Sequence, residues 1–212
     1  MKIAEKFTLG EEIASSVLHG IGAIISILAL VLLIIKSIHI GDSWHIVSYT
    51  IFGTSLIILY TMSTLYHAFP RGTTKRVFQR FDHLSIYILI AGTYTPFCLT
   101  ILRGKIGWTI LIVQWGLAIL GIIFKSIWID KFVAFATLIY ILMGWAIVLS
   151  IKPLAASLDP IGIYLLVAGG ISYTVGTIFF IFSLFKFHHA VWHIFVMLGS
   201  LFHFLVIYIY LK

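Results

Sequence analysis

Long apolar stretches alternate with short polar breaks along this chain. About 30 Å of hydrocarbon requires roughly 20 apolar residues in a helix. Seven stretches come near that length, at 13–35, 44–68, 83–102, 107–124, 132–150, 160–184 and 190–211. The connections cover 36–43, 69–82, 103–106, 125–131, 151–159 and 185–189. Only Arg103-Gly104-Lys105 parts the third stretch from the fourth, and two charges flanking a glycine predict a reversal rather than one long helix. The first stretch follows Lys2 and Lys6 and runs from Ile13 to Ile35. That exceeds the roughly 7–15-residue core of a cleaved signal peptide, so it predicts a first span. The expected fold is all-α: an integral membrane bundle of seven transmembrane helices, forming a single domain over residues 1–212 with no soluble appendage.

Composition strengthens this reading. Of 212 residues, 61% are hydrophobic and 10% charged, against roughly 25% charged in soluble domains. The formal charge of +7 does not point to nucleic acid, because the Lys and Arg residues are scattered through short connections. They suit topology signals and anionic headgroups there. Counted on alternate sides, nine fall with the N-terminus (Lys2, Lys6, Arg71, Lys75, Arg76, Arg80, Lys125, Lys131, Lys186) and five opposite (Lys36, Arg103, Lys105, Lys152, Lys212). This bias predicts a cytoplasmic N-terminus and, with an odd number of spans, an outside C-terminus. Cys98 is the one cysteine, which excludes an internal disulfide and a cysteine-rich metal site. Trp44, Trp108, Trp128, Tyr208 and Tyr210 suit interfacial belts. Pro96 predicts a kink in the third span. Ser172 and Gly176 form a small-xxx-small pair that permits close helix approach.

Polar groups inside apolar spans are expensive, which makes them candidates for function. His67 closes the second span, with Ser63 one turn deeper on the same face. Asp82 opens the third. His189 and His193 open the seventh at i, i+4, on one helical face. Glu12 and His19 lie in the first turns of span one. The orientation rests on Lys and Arg alone, yet all these residues fall near one leaflet. Three histidines with an open fourth position are the arrangement of a catalytic zinc, and such an ion lowers the pKa of its water toward neutrality. Asp82 would then act as base or as a partner orienting the water. Ser63 could hydrogen-bond a ligand, the water or a developing oxyanion. A second reading stands beside this one: histidines at helix ends are commonly interfacial or hydrogen-bonded, and a single HxxxH pair arises by chance. For His39, His45 and His188 that interfacial or hydrogen-bonded reading is preferred. His203 lies about 15 Å deeper than His193 and is expected to make an inter-helix hydrogen bond. His83 points to another face than Asp82.

The ordered motifs resemble the progestin and adipoQ receptor (PAQR) family, most closely its bacterial haemolysin III branch. They are Glu12 with His19-Gly20, Ser63-Thr-Leu-Tyr-His67, Phe81-Asp82-His83 with Gly92-Thr-Tyr-Thr-Pro96, and His189-Ala-Val-Trp-His193 with His203-Phe204. The resemblance covers essentially the whole chain. It implies a multi-pass protein of the cell's plasma membrane with seven helices and an inside N-terminus. It also implies zinc held by His67, His189 and His193, Asp82 contacting the zinc-bound water, and Ser63 in the same constellation. The wider superfamily includes alkaline ceramidases, so zinc-dependent hydrolysis of a lipid amide or ester is the leading expectation, with membrane lipids as partners. The receptor members carry a longer N-terminal region than the dozen or so residues expected before the first span here, and the outward connections are short, so a hormone-receptor role of the animal kind is not expected. A channel-forming or membrane-lytic protein, and a receptor or sensor with structural zinc, remain as alternatives.

Overall fold

Residues 7–211 are described by the computed structural model, so the terminal charges Lys2, Lys6 and Lys212 lie outside the described residues. The elements are α1 (Leu9–Ile40), α2 (Ser43–Ala68), α3 (Thr73–Leu99), α4 (Lys105–Ile127), α5 (Val133–Trp145), a 3₁₀ segment (Ala146–Ser150), α6 (Ile151–Ser157), α7 (Pro160–Ile181), α8 (His188–Leu205) and a π-helical turn (Val206–Tyr210). No strand occurs among the described residues.

Each helix has local reasons to begin and end where it does. Thr8 and Glu11 form a capping box at the start of α1. Gly41 closes that helix at φ 77°, and its N–H reaches the Ser37 carbonyl; the left-handed conformation suits glycine. Asp42 then caps α2, and Asp159 caps α7 just before Pro160. Gly104 takes φ 134° in the predicted reversal, which separates α3 from α4.

Burial is inverted relative to a soluble protein. The buried stripe of α1 comprises Glu11, Ser15, His19, Gly22, Ser26, Ala29, Leu33 and Ser37, while Ile13, Val17, Ile21, Ile24 and Leu28 are exposed. Small and polar groups turn inward because lipid is as apolar as leucine and gives the large side chains no reason to hide. Six helical segments among the described residues are long and apolar enough to cross a membrane: Leu9–Ile40, Ser43–Ala68, Lys105–Ile127, Val133–Ser157, Pro160–Ile181 and His188–Tyr210. The other long helix, α3, carries Lys75, Arg76, Arg80 and Asp82 in its first half and is buried at every position from Ala91 to Leu99.

Helix α1 packs on α2 and α8, α2 on α3, and α3 on α4 and α5. Helix α7 packs on α8 and α5 and completes the ring. Glycines set the α7–α8 distance. A Cβ on Gly176 would meet Phe195 and Trp192 at 2.8 Å, and one on Gly199 would meet the Tyr173 ring at 2.7 Å. Of the small-xxx-small pair, Gly176 therefore makes the close approach, whereas the Ser172 hydroxyl donates to its own helix at Ala168.

Three boundaries depart from the hydropathy pattern. The connection predicted at 69–82 is mostly helix: α3 begins at Thr73 and runs through Pro96, so Asp82 lies within a helix rather than at its start. An apolar window registers only what crosses hydrocarbon, and a polar extension of the same helix escapes it. Lys75 and Lys125 are likewise buried in helices at 2% and 1% exposure, not in loops. Finally, the fifth stretch does not stop at 150. It continues to Ser157, interrupted by the 3₁₀ segment. That break frees backbone groups, which need partners where water is absent. The Tyr94 hydroxyl lies 2.8 Å from the carbonyls of both Met143 and Gly144 and accepts from the Ile147 N–H, and Gln114 donates to Met143 at 3.0 Å.

Candidate metal centre

Four helices bring their polar residues to one end of the bundle: the start of α1, the end of α2, the first half of α3 and the start of α8. His67, His189 and His193 are all buried, and one ligating atom from each lies within 4.8 Å of the others. Their ring centroids are 5.2 Å (His67–His189), 5.0 Å (His67–His193) and 4.7 Å (His189–His193) apart. The i, i+4 spacing on α8 and the antiparallel approach of α2 produce this convergence.

Two of the rings are held from behind. His67 Nδ1 is 2.6 Å from Glu12 Oε2, and His193 Nδ1 is 3.3 Å from the Ser15 carbonyl. A carboxylate or carbonyl acceptor makes each Nδ1 the protonated nitrogen and leaves Nε2 with a free lone pair, the tautomer a metal requires. His67 Nε2 is buried with no hydrogen-bond partner. An orphaned imidazole nitrogen is costly in a low-dielectric interior, and a cation shared by the three rings would satisfy it. The residues therefore fit a metal ion, and neutral imidazoles suit zinc.

The predicted neighbours also gather here. Ser63, Asp82, His19, His189 and His193 line one cavity, which continues between α3, α5, α7 and α8 past Phe97, Trp145, Leu166 and Val196. Most of this wall is apolar. Asp82 lies within electrostatic reach of His67 and Lys75, and Ser63 stands near its carboxylate without reaching hydrogen-bond geometry. At the aqueous end Phe7 covers the site, its ring 4.6 Å from that of His189 and 6.2 Å from that of His67. The turn into α8 is fixed by Phe187, which takes φ 68°. That conformation is unfavourable for a bulky residue, and the bond from Phe187 N–H to Glu11 Oε1 at 3.0 Å holds it in place.

Three other histidines are bonded elsewhere. His203 Nε2 lies 3.3 Å from the Leu166 carbonyl, the expected inter-helix bond. His45 pairs with Asp42 at 2.9 Å, and His188 Nδ1 meets the Phe179 carbonyl at 2.7 Å. These two are hydrogen-bonded as expected, but both are buried. His19 stacks on His193 at 3.7 Å between centroids, and neither of its ring nitrogens has a partner.

A family model described as "Haemolysin-III related" matches residues 7–204. The chain belongs to the haemolysin-III related family. It is 50% identical over 194 residues to the "Hemolysin-3 homolog" of Bacillus subtilis (strain 168), covering 92% of this chain and 91% of that one. "Hemolysin-3" of Bacillus cereus is 48% identical over 200 residues, covering 94% and 91%. The human "Monocyte to macrophage differentiation factor" is 28% identical over 180 residues, covering 80% and 73%. The resemblance read from the motifs is thus borne out, and six apolar helices in a haemolysin-III related chain make it a multi-pass membrane protein.

Sequence reasoning named Glu12 without giving it a role and took Lys75 for a topology signal. Glu12 bridges His67 and Lys75, with Oε1 3.0 Å from Lys75 Nζ. A carboxylate in the first turns of an apolar span, on the side of three histidines, was the available signal.

Proposed function

We propose that this chain is a single seven-span domain of the plasma membrane with a cytoplasmic N-terminus. In this reading zinc is held by His67, His189 and His193, and the protein hydrolyses an amide or ester bond of a membrane lipid. The observation that carries the reading is the continuity of two unlike surfaces. His189 and His193 of the histidine cluster, with Asp82 and Ser63, line a cavity whose remaining wall is mostly apolar. A lipid has the same division, a polar linkage on an apolar chain.

When bound there, zinc lowers the pKa of a coordinated water and polarises a carbonyl. The protein's own groups supply the rest. Asp82 takes the proton from the attacking water as its oxygen bonds to the carbonyl carbon, and passes it to the nitrogen or oxygen that leaves as the scissile bond breaks. Ser63 donates a hydrogen bond to the carbonyl oxygen as it gains negative charge. The apolar wall aligns the acyl chain and keeps bulk water away. Glu12 and the Ser15 carbonyl hold two imidazoles in the required tautomer. The excess of Lys and Arg on the N-terminal side supports the orientation.

The test is zinc content of the purified protein followed by hydrolysis of a panel of N-acyl and O-acyl lipids. Stoichiometric zinc with turnover supports the reading, and zinc without turnover across the panel contradicts the hydrolase. A second reading, a pore, rests on the name "Hemolysin-3" carried by a relative 48% identical. Conductance of reconstituted protein that survives His193→Ala would favour it. Zinc retained with a ligand-dependent conformational change, and activity indifferent to Asp82→Asn, would favour a sensor.

A further inference from the structure

The structure assigns Lys75 as a positioning residue of the metal centre: its ammonium holds the Glu12 carboxylate and the backbone on both sides of His67 in register. This rests on the metal reading above and adds to it a group that touches no ligand nitrogen.

A lysine at 2% exposure keeps its charge in a protein interior only if its donors are satisfied. An ammonium has three N–H donors, and three acceptors surround Lys75. They are the Tyr66 carbonyl at 2.8 Å, the Phe69 carbonyl at 3.2 Å and Glu12 Oε1 at 3.0 Å. The Tyr66 ring lies beneath the ammonium at 4.7 Å. Tyr66 and Phe69 bracket His67 where α2 ends, and Glu12 Oε2 is the atom bonded to His67 Nδ1. One cation therefore fixes the backbone that carries the imidazole and the carboxylate that orients it. It does so from α3, the helix that also bears Asp82, so three helices are tied together behind one ligand.

Closing the end of α2 would by itself require only the two carbonyl bonds. The third bond, to Glu12, separates positioning of His67 from helix capping, and a double-mutant cycle measures it. Zinc affinity of the detergent-purified full chain is read by competition with a chromophoric chelator, with cobalt absorption spectra as a second readout of ligand geometry. Glu12→Gln is expected to weaken zinc binding by about 10- to 100-fold. Lys75→Met is expected to do likewise with an altered cobalt spectrum, and Lys75→Arg to restore most of the loss. The double variant Lys75→Met/Glu12→Gln is expected to be little weaker than Glu12→Gln alone. Full multiplicative loss in the double variant, or wild-type affinity and spectrum in Lys75→Met, overturns the assignment. If Lys75→Met does not fold, Lys75→Gln takes its place in the same cycle with the same two outcomes. A wild-type protein that binds no zinc is read first; that result removes the metal reading itself, and this assignment with it.

Discussion

Gly176→Ala probes the packing that places α8, and with it two of the three histidines. The added Cβ would lie 2.8 Å from Phe195 Cβ and 2.8 Å from Trp192 Cε3, where carbon–carbon contacts settle at about 3.5–4.0 Å. Phe195 Cβ is anchored directly to the α8 backbone and cannot swing away, so the helices must part by roughly 1 Å. Overpacking of this kind costs about 1–3 kcal/mol. At about 2–4 °C per kcal/mol for a chain of this size, the melting temperature should fall by about 2–12 °C. Gly116→Ala is the control, because nothing lies within 4 Å of a Cβ there. Replacing a helix-interior glycine at an open position should leave stability unchanged or raise it by up to about 1 kcal/mol. Both variants are measured by thiol-reactive dye fluorescence or circular dichroism in the same detergent. Because Trp192 adjoins His193, Gly176→Ala should also weaken zinc binding while Gly116→Ala does not. Equal melting temperatures for the two variants would refute the reasoning and with it the close α7–α8 contact.

Three further outcomes follow from the same geometry. Asp82→Asn should lower lipid hydrolysis by about 100-fold or more, the usual contribution of a general acid–base, while zinc content stays at the wild-type level. Lys36→Met removes an ammonium that donates to the carbonyls of Ile207, Tyr208 and Leu211. Tyr49 still reaches two of these carbonyls, so the loss should be about 1–2 kcal/mol in detergent unfolding. At the opposite end of the bundle from the metal centre, the hydrogen bond from His45 and then that from the Trp44 N–H hold the Asp42 carboxyl below its ordinary value. A lowered folded value means its stabilisation is full above the ordinary carboxylate range and is lost as pH falls through the lowered value. Melting temperatures followed down from pH 6 should therefore show a shallower acid limb in Asp42→Asn than in wild type.

The sequence made some of this legible and hid the rest for identifiable reasons. Apolar runs exposed the spans, and the Arg103-Gly104-Lys105 break located the reversal where Gly104 takes its positive φ. His67, His189 and His193 could be brought together on paper because one short rule, i, i+4 on a helix, and one topological rule, alternate ends, suffice. The depth of His203 followed from position alone. Hydropathy could not see that α3 starts at Thr73, because its first turns are amphipathic and rich in charge. The 3₁₀ break at Ala146–Ser150 was hidden as well. Its sequence is as apolar as any helix, and what stabilises it is the distant Tyr94 hydroxyl. Lys75 was misread for the opposite reason. A lysine near a span end is normally a topology signal, and only the packed structure shows its charge turned inward against Glu12.

The proposed metal centre requires that His67, His189 and His193 hold an ion together. Elemental analysis of the full chain, purified without added chelator, decides this when wild type and His67→Ala are compared at equal purity and equal circular dichroism. Wild type should carry close to one zinc per chain. His67→Ala should lose most of it on dialysis, because losing one of three direct ligands costs more than the roughly 10- to 100-fold that a partner behind a ligand is worth. Wild type devoid of metal, or His67→Ala with undiminished zinc, would contradict the assignment.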